Sequence, residues 1–244
     1  MPVPTNEPVW WGSLLWLVAV AGVAFLIAWA TGTRLHIRRS RYIPILFVVT
    51  AGLSAGYIAW LGASFADVLT THWAWGLLAG VIAPVLLYRP VQHQPVTRAV
   101  PRGGQLRREL FWEGGVYGAA EGVLLSALPA FIAWQMAHSL GWTGAGGAVA
   151  RWSLSLVAAA VVVVVHHLGY WNCRNRILVP ITLGLSVLTV AFLVTGSWIA
   201  PALGHIFMHI EATLHGVEMP PVQRPVADVD VPERRELVGA SGPR

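Results

Sequence analysis

Apolar residues run almost unbroken along most of this chain, and polar residues gather in short breaks between the runs. The runs are roughly 17–25 residues long, the length an α-helix needs to cross the hydrocarbon core of a bilayer. They fall at about 9–30, 42–63, 70–88, 113–137, 150–171, 177–198 and 199–216. This pattern predicts an all-α fold, a polytopic membrane helix bundle of about seven transmembrane helices. The last two runs are parted only by the neighbourhood of Gly196 to Pro201, which reads as a tight helical hairpin.

The breaks are unequally charged. Arg34, Arg38, Arg39 and Arg41 lie in the first, and Arg89, Arg98, Arg102, Arg107 and Arg108 in the third. Arg174 and Arg176 lie in the fifth, and Arg224, Arg234, Arg235 and Arg244 in the tail. The alternate breaks hold Arg151 alone. Cytoplasmic connections of membrane proteins are the basic ones, so the N-terminus is expected outside and the C-terminus in the cytoplasm. The same placement explains a pI near 10.1 without nucleic acid as a partner. Trp10, Trp11, Trp29, Trp60, Trp73, Trp75, Trp112, Trp152, Trp171 and Trp198 lie near the expected helix ends, where indole rings favour the headgroup level.

Composition narrows the class further. With 56% hydrophobic and 11% charged residues, the chain is neither an ordinary soluble domain nor disordered over most of its length. A single cysteine, Cys173, excludes an intrachain disulfide and a cysteine-based metal cluster. The first apolar run has no basic segment before it and is long for a signal peptide, so it reads as a retained helix. Residues 1–88 supply three helices. A polar segment at 89–112 with Pro90, Pro95 and Pro101 follows, its stretch 105–112 reading equally as a helix on the cytoplasmic surface or as the start of span four. The tail at 217–244, with Pro220, Pro221, Pro225 and Pro232, reads as disordered.

Within the apolar runs stand Glu121, His167, His205 and His209. A charged group in hydrocarbon costs on the order of a few kcal/mol, so several together imply a polar site inside the bundle. Gly114, Gly118 and Gly122 recur every four residues beside Glu121, a strip that lets another helix approach closely. A buried carboxyl there suits either a general base or a helix–helix hydrogen bond. His166 and His167 sit about 100° apart on a helix, so one is expected to face inward. His205 and His209 are i, i+4 and share a face, which suits a metal ligand pair or a hydrogen-bond pair. The glutamate that would follow the first histidine of a zinc-peptidase helix is replaced by Ile206. Glu211 and His215 are expected at the interface.

Three stretches in this order resemble the CPBP (Abi, or CAAX-protease-and-bacteriocin-processing) family of intramembrane proteases. Its pattern is Glu-Glu-x-x-x-Arg, then Phe-x-x-x-His, then His-x-x-x-Asn/Asp. Ala119-Ala-Glu-Gly-Val-Leu-Leu-Ser-Ala127 resembles the first, Val163-Val-Val-His-His167-Leu the second, and Gly204-His-Ile-Phe-Met-His209 the third. The turn Thr195-Gly-Ser-Trp-Ile-Ala-Pro201 ahead of His205 is the closest likeness. The resemblance covers about residues 108–216 and implies a four-helix core at 113–216, with the first three helices as accessories.

It implies a glutamate-dependent intramembrane peptidase of a bacterial plasma membrane, acting without a cofactor on a membrane-associated peptide or protein among membrane lipids. Glu121 would be the general base, His167 (selected over His166) its assistant, and His205 and His209 the groups that polarise the carbonyl and hold the oxyanion. Ser126 and His166 would stand behind them. Gly122, Ser126, Val163 and His209 depart from the pattern. A silent scaffold or chaperone is therefore a competing expectation. So is a metalloenzyme or transporter holding zinc on His167, His205, His209 and Glu121. Depth sets a further condition: at ~1.5 Å per residue Glu121 lies roughly 12 Å from the inner boundary and His205 roughly 9 Å from the outer. In a core of ~30 Å those levels differ by several ångströms, whereas His209 matches Glu121.

Overall fold

The structure is a computed structural model that describes residues 6, 9–35, 37–94 and 96–217. The tail beyond 217 with its prolines and arginines, and Pro95, lie outside the described residues. The described chain is all-helical: α1 (Trp10–Arg34), α2 (Arg39–Trp60), the short α3 (Phe65–Thr70), α4 (Trp73–Gln92), α5 (Gly103–Ser139), α6 (Gly144–Leu168), α7 (Leu178–Thr195) and α8 (Ile199–His215). Six of these, all but α3 and α8, are long and apolar enough to span a membrane. α8 has 17 residues, roughly 26 Å at ~1.5 Å per residue, a little less than a ~30 Å hydrocarbon core.

Helix ends follow local chemistry. Thr31 closes the end of α1 by donating its hydroxyl to Ile27 O, inside a π-helical last turn at Trp29–Arg34. Ser64 caps α3 by accepting from the Asp67 amide. His72 takes a left-handed conformation before α4 (φ 51°), and its Nδ1–H donates to Thr195 O at 2.6 Å, tying the start of α4 to the end of α7. Gly196, also left-handed (φ 66°), ends α7, and α8 begins three residues on, at the turn expected around Gly196 to Pro201.

α5 is the axis of the bundle. Its 37 residues run unbroken from Gly103 to Ser139 and form the most buried of the long helices. The stretch 105–112 is therefore the start of this helix, not a separate surface helix. Two π-helical segments, Leu110–Tyr117 and Val123–Ala127, flank a single α-helical turn at Gly118–Gly122, which carries Glu121. Such insertions are frequent at functional positions because they re-aim the side chains beside them. From the second one onward, Leu124, Leu125, Leu128, Phe131 and Ile132 of α5 are fully buried. Phe131 stands edge-on to Tyr57 and to Trp198, with ring centroids 5.9 and 5.7 Å apart. Trp198, expected at the headgroup level, thus belongs to the core, because the α7–α8 turn folds it inward against Phe131. Trp10, Trp11, Trp73, Trp75 and Trp171 are exposed.

α8 packs on α5 along the glycine strip. A Cβ added at Gly114 would meet Ile210 Cγ1 at 2.7 Å, one at Gly118 would meet Ile206 Cα at 2.8 Å, and one at Gly122 would overlap Pro201 O. The other side of α8 rests on α4, where a Cβ at Gly80 would come within 2.8 Å of Leu203. α8 is thereby pressed between two glycine-faced helices, and its backbone register against α5 is fixed at three successive turns.

The arginine-bearing connections meet at one end of the molecule. Arg39 at the start of α2 pairs with Glu113 on α5, and Arg98 pairs with Glu109 at 2.8 Å. Gly216 O, after α8, accepts from the amides of Thr97 and Arg98. Thr33 bridges to the turn after α6, donating to Gly169 O at 2.6 Å while accepting from Trp171 N.

Candidate functional site

Glu121 lies 5% exposed, two turns inward from the Glu113 ion pair, on the face of α5 that turns toward α8 and α6. Its two oxygens have different company. Oε2 accepts from His209 Nε2 at 3.1 Å and has His205 Nε2 at 3.4 Å. Oε1 accepts the Tyr117 hydroxyl at 2.6 Å and has His166 Nε2 at 3.4 Å. Each neighbour has a geometric cause. His205 and His209, one turn apart on α8, stack at 4.9 Å between centroids, and this brings both Nε2 atoms to one oxygen. Close packing of α8 on the glycine strip brings both of its histidines within reach of the carboxylate. Tyr117 is one turn before Glu121 on α5, the spacing that lets two side chains meet.

His166 is the imidazole of α6 that faces the carboxylate; His167 is not. Its Nδ1 is 3.0 Å from Ala24 O on α1. A carbonyl only accepts, so Nδ1 carries a proton and Nε2 is the ring atom turned inward. Nε2 lies 3.4 Å from the Tyr170 hydroxyl, and the Tyr42 and Tyr170 hydroxyls lie 2.6 Å apart. His167 donates Nδ1–H to Val163 O of its own helix at 2.8 Å, and its ring stands edge-on to His166 at 5.1 Å. The two rings thus diverge by the helical angle, and the position of α1 decides which one meets Glu121.

Ser126 does not join the cluster; it is fully buried and lies 3.5 Å from Leu185 O on α7. Tyr117, Tyr170 and Tyr42 are cluster members that the sequence reading passed over. Two of them carried a signal: Tyr117 is i−4 from Glu121, and Tyr170 is i+4 from His166.

The electrostatic character follows from this inventory. With Nε2–H on both α8 histidines, an ionised Glu121 has three donors, enough to hold a carboxylate away from water. Glu121 Oε1 and His166 Nε2 lie 3.4 Å apart, a separation across which one proton can bridge the pair. His205 Nδ1 is buried with no hydrogen-bond partner, an open acceptor inside the site. Ligand atoms of Glu121, His205 and His209 lie within 4.8 Å of one another, so these three side chains are also a feasible metal triad. Beyond the helix ends, Cys173 is buried, and burial together with the Glu121 charge pushes its thiol up to about 11.

A groove lies elsewhere, on the outer side of α8 against α4, and none of the cluster side chains lines it. No protein-family model, curated protein or solved structure matches this chain.

Proposed function

We propose that the chain is a seven-pass protein of a bacterial plasma membrane, with α8 as the last span and the arginine-rich end in the cytoplasm, and that it is a divergent hydrolase of the CPBP type. The observation that carries the reading is one buried carboxylate in contact with imidazoles from two other helices, Glu121 with His166, His205 and His209. The substrate is a peptide bond of a membrane-associated peptide or protein.

In the proposed reaction a water between Glu121 and the substrate attacks the carbonyl carbon. Glu121 takes the water proton as general base. The carbonyl oxygen becomes an oxyanion, and the Nε2–H groups of His205 and His209 turn from Glu121 to it as donors. The carbon–nitrogen bond then breaks, and the proton held by Glu121 passes to the leaving amine. His166, kept in one tautomer by Ala24 O, takes up or returns a proton at Oε1 while the carboxylate changes state. Tyr117 holds the carboxylate's orientation.

The test compares cells expressing the wild type with cells expressing Glu121→Gln, scoring new N-termini of membrane proteins by mass spectrometry. Fragments cut beside membrane segments are expected in the wild type and absent from the variant. Identical N-termini in the two would remove the hydrolase reading.

The triad geometry supports a second reading, a zinc site on Glu121, His205 and His209. The separations of 3.1 and 3.4 Å from Oε2 to the two Nε2 atoms are close to the edge of a tetrahedron with bonds of ~2.0–2.1 Å, roughly 3.3–3.4 Å. Metal analysis of the purified protein separates the two: one equivalent of zinc, lost in His205→Ala, favours the metal site, and metal-free active protein rejects it.

A further inference from the structure

A groove of about 1010 Å³ runs down the outside of the bundle between α4 and α8. Val81, Val85, Phe207 and Leu214 make its apolar length, and Arg89 and His215 stand at its polar end. That end is the arginine-rich end of the molecule, since Arg89 is in the last turn of α4 and His215 is the last residue of α8. Val81 lies eight residues before Arg89, so the apolar length descends roughly 12 Å at ~1.5 Å per residue. An amphiphile entering from the membrane would set its head at the interface and one chain along this trough.

The charge at the polar end selects the head. Glu211, the acid that lines the same groove, already accepts the Gln92 side-chain amide at 3.2 Å. The Arg89 side chain has no ion pair or hydrogen bond among the described residues. A guanidinium with no direct ion pair among the described residues, above an apolar trough between two helices, matches the basic interhelical pockets that hold anionic headgroups.

We propose that this groove seats one anionic phospholipid, its phosphate on Arg89 beside His215 and one acyl chain along Val85 and Phe207. The proposal goes beyond the hydrolase reading and does not depend on it. The lipid lies against the outer face of the helix whose inner face carries His205 and His209, so it braces the site from behind.

The test is native mass spectrometry of the full chain released from phosphatidylcholine vesicles with and without phosphatidylglycerol. The wild type is expected to keep one phosphatidylglycerol in preference to phosphatidylcholine. Arg89→Gln should lower that preference about fivefold, the effect of one basic residue near an anionic headgroup. Val85→Trp, which fills the trough at an exposed position, should lose the lipid whatever its headgroup, and it stands as the deciding variant if Arg89→Gln does not fold. Excess inorganic phosphate should leave the wild-type adduct in place. An unchanged preference in Arg89→Gln, a retained lipid in Val85→Trp, displacement by phosphate, or a wild type that keeps no lipid would each overturn the proposal.

Discussion

The Pro201 carbonyl lies so close to Gly122 that any Cβ there would overlap it. The backbone of α8 occupies the space that a side chain would take at this position, and the helix bearing His205 and His209 thereby lies against the Glu121 face. Gly122→Ala forces α8 outward by overpacking, a cost of about 1–3 kcal/mol. Gly115, whose nearest neighbour to an added Cβ is Leu110 O at 3.8 Å, is the control. Thermal unfolding in detergent should show a lowered midpoint for Gly122→Ala and none for Gly115→Ala. Equal midpoints for the two variants would mean that the strip does not hold the helices together.

His166 and His167 are separated by function in the proposed mechanism, and glutamine replacements measure it. His166→Gln removes the ring that faces Glu121 Oε1 at 3.4 Å and should lower turnover about a hundredfold or more, the range of a proton-transfer partner. His167→Gln removes a ring bonded to its own helix at Val163 O and should cost less than about tenfold. Equal losses, with both proteins folded, would place the active imidazole elsewhere.

How much of this was readable beforehand depends on the range of the interaction. The all-helical, membrane-spanning character was legible from the apolar runs, whereas the 37 residues of α5 and the shortness of α8 were not; the Gly114–Gly118–Gly122 strip was legible because its period is that of a helix face. The His205–His209 pair was legible for the same reason. The choice between His166 and His167 was not, since both lie on one helix and the deciding atom, Ala24 O, comes from a helix 142 residues away in sequence. Trp198 was misread because a tryptophan near a helix end has the same local signature whether it meets headgroups or a core phenylalanine. Tyr117 and Tyr170 were overlooked at spacings that would have revealed them, because a tyrosine in an apolar run reads first as packing.

Arg98 and Glu109 test the charged layer above the site. Glu109 Oε2 is buried and, among the described residues, is paired with Arg98 at 2.8 Å, while Oε1 accepts the Gln105 side-chain amide at 2.9 Å. Arg98→Gln strands that carboxylate and should destabilise the protein on the order of 1–3 kcal/mol. Adding Glu109→Gln should restore part of the loss, so the double variant should be more stable than the sum of the singles. Strict additivity in thermal or denaturant unfolding would show that the pair is uncoupled.

Cys173 gives a pH-dependent readout in the short 3-10 turn Trp171–Cys173 between α6 and α7. Its side chain is 1% exposed, and burial first, then the Glu121 charge, raises its thiol from 9.0 to about 11. The neutral thiol is the form that the fold favours. Its contribution to stability is therefore present below the unfolded value near 9 and is lost as pH rises through about 11. The wild type should lose thermal stability over that window faster than Cys173→Ser, which carries no group titrating there, since all other titrations are common to the two proteins. Maleimide labelling of the folded wild type at pH 8 should be slow and should accelerate on unfolding, because the thiolate is the reactive form. Rapid labelling of the folded protein at pH 8, or parallel stability curves for the two proteins, would show that this turn is open to water and that the thiol is not held in the neutral form.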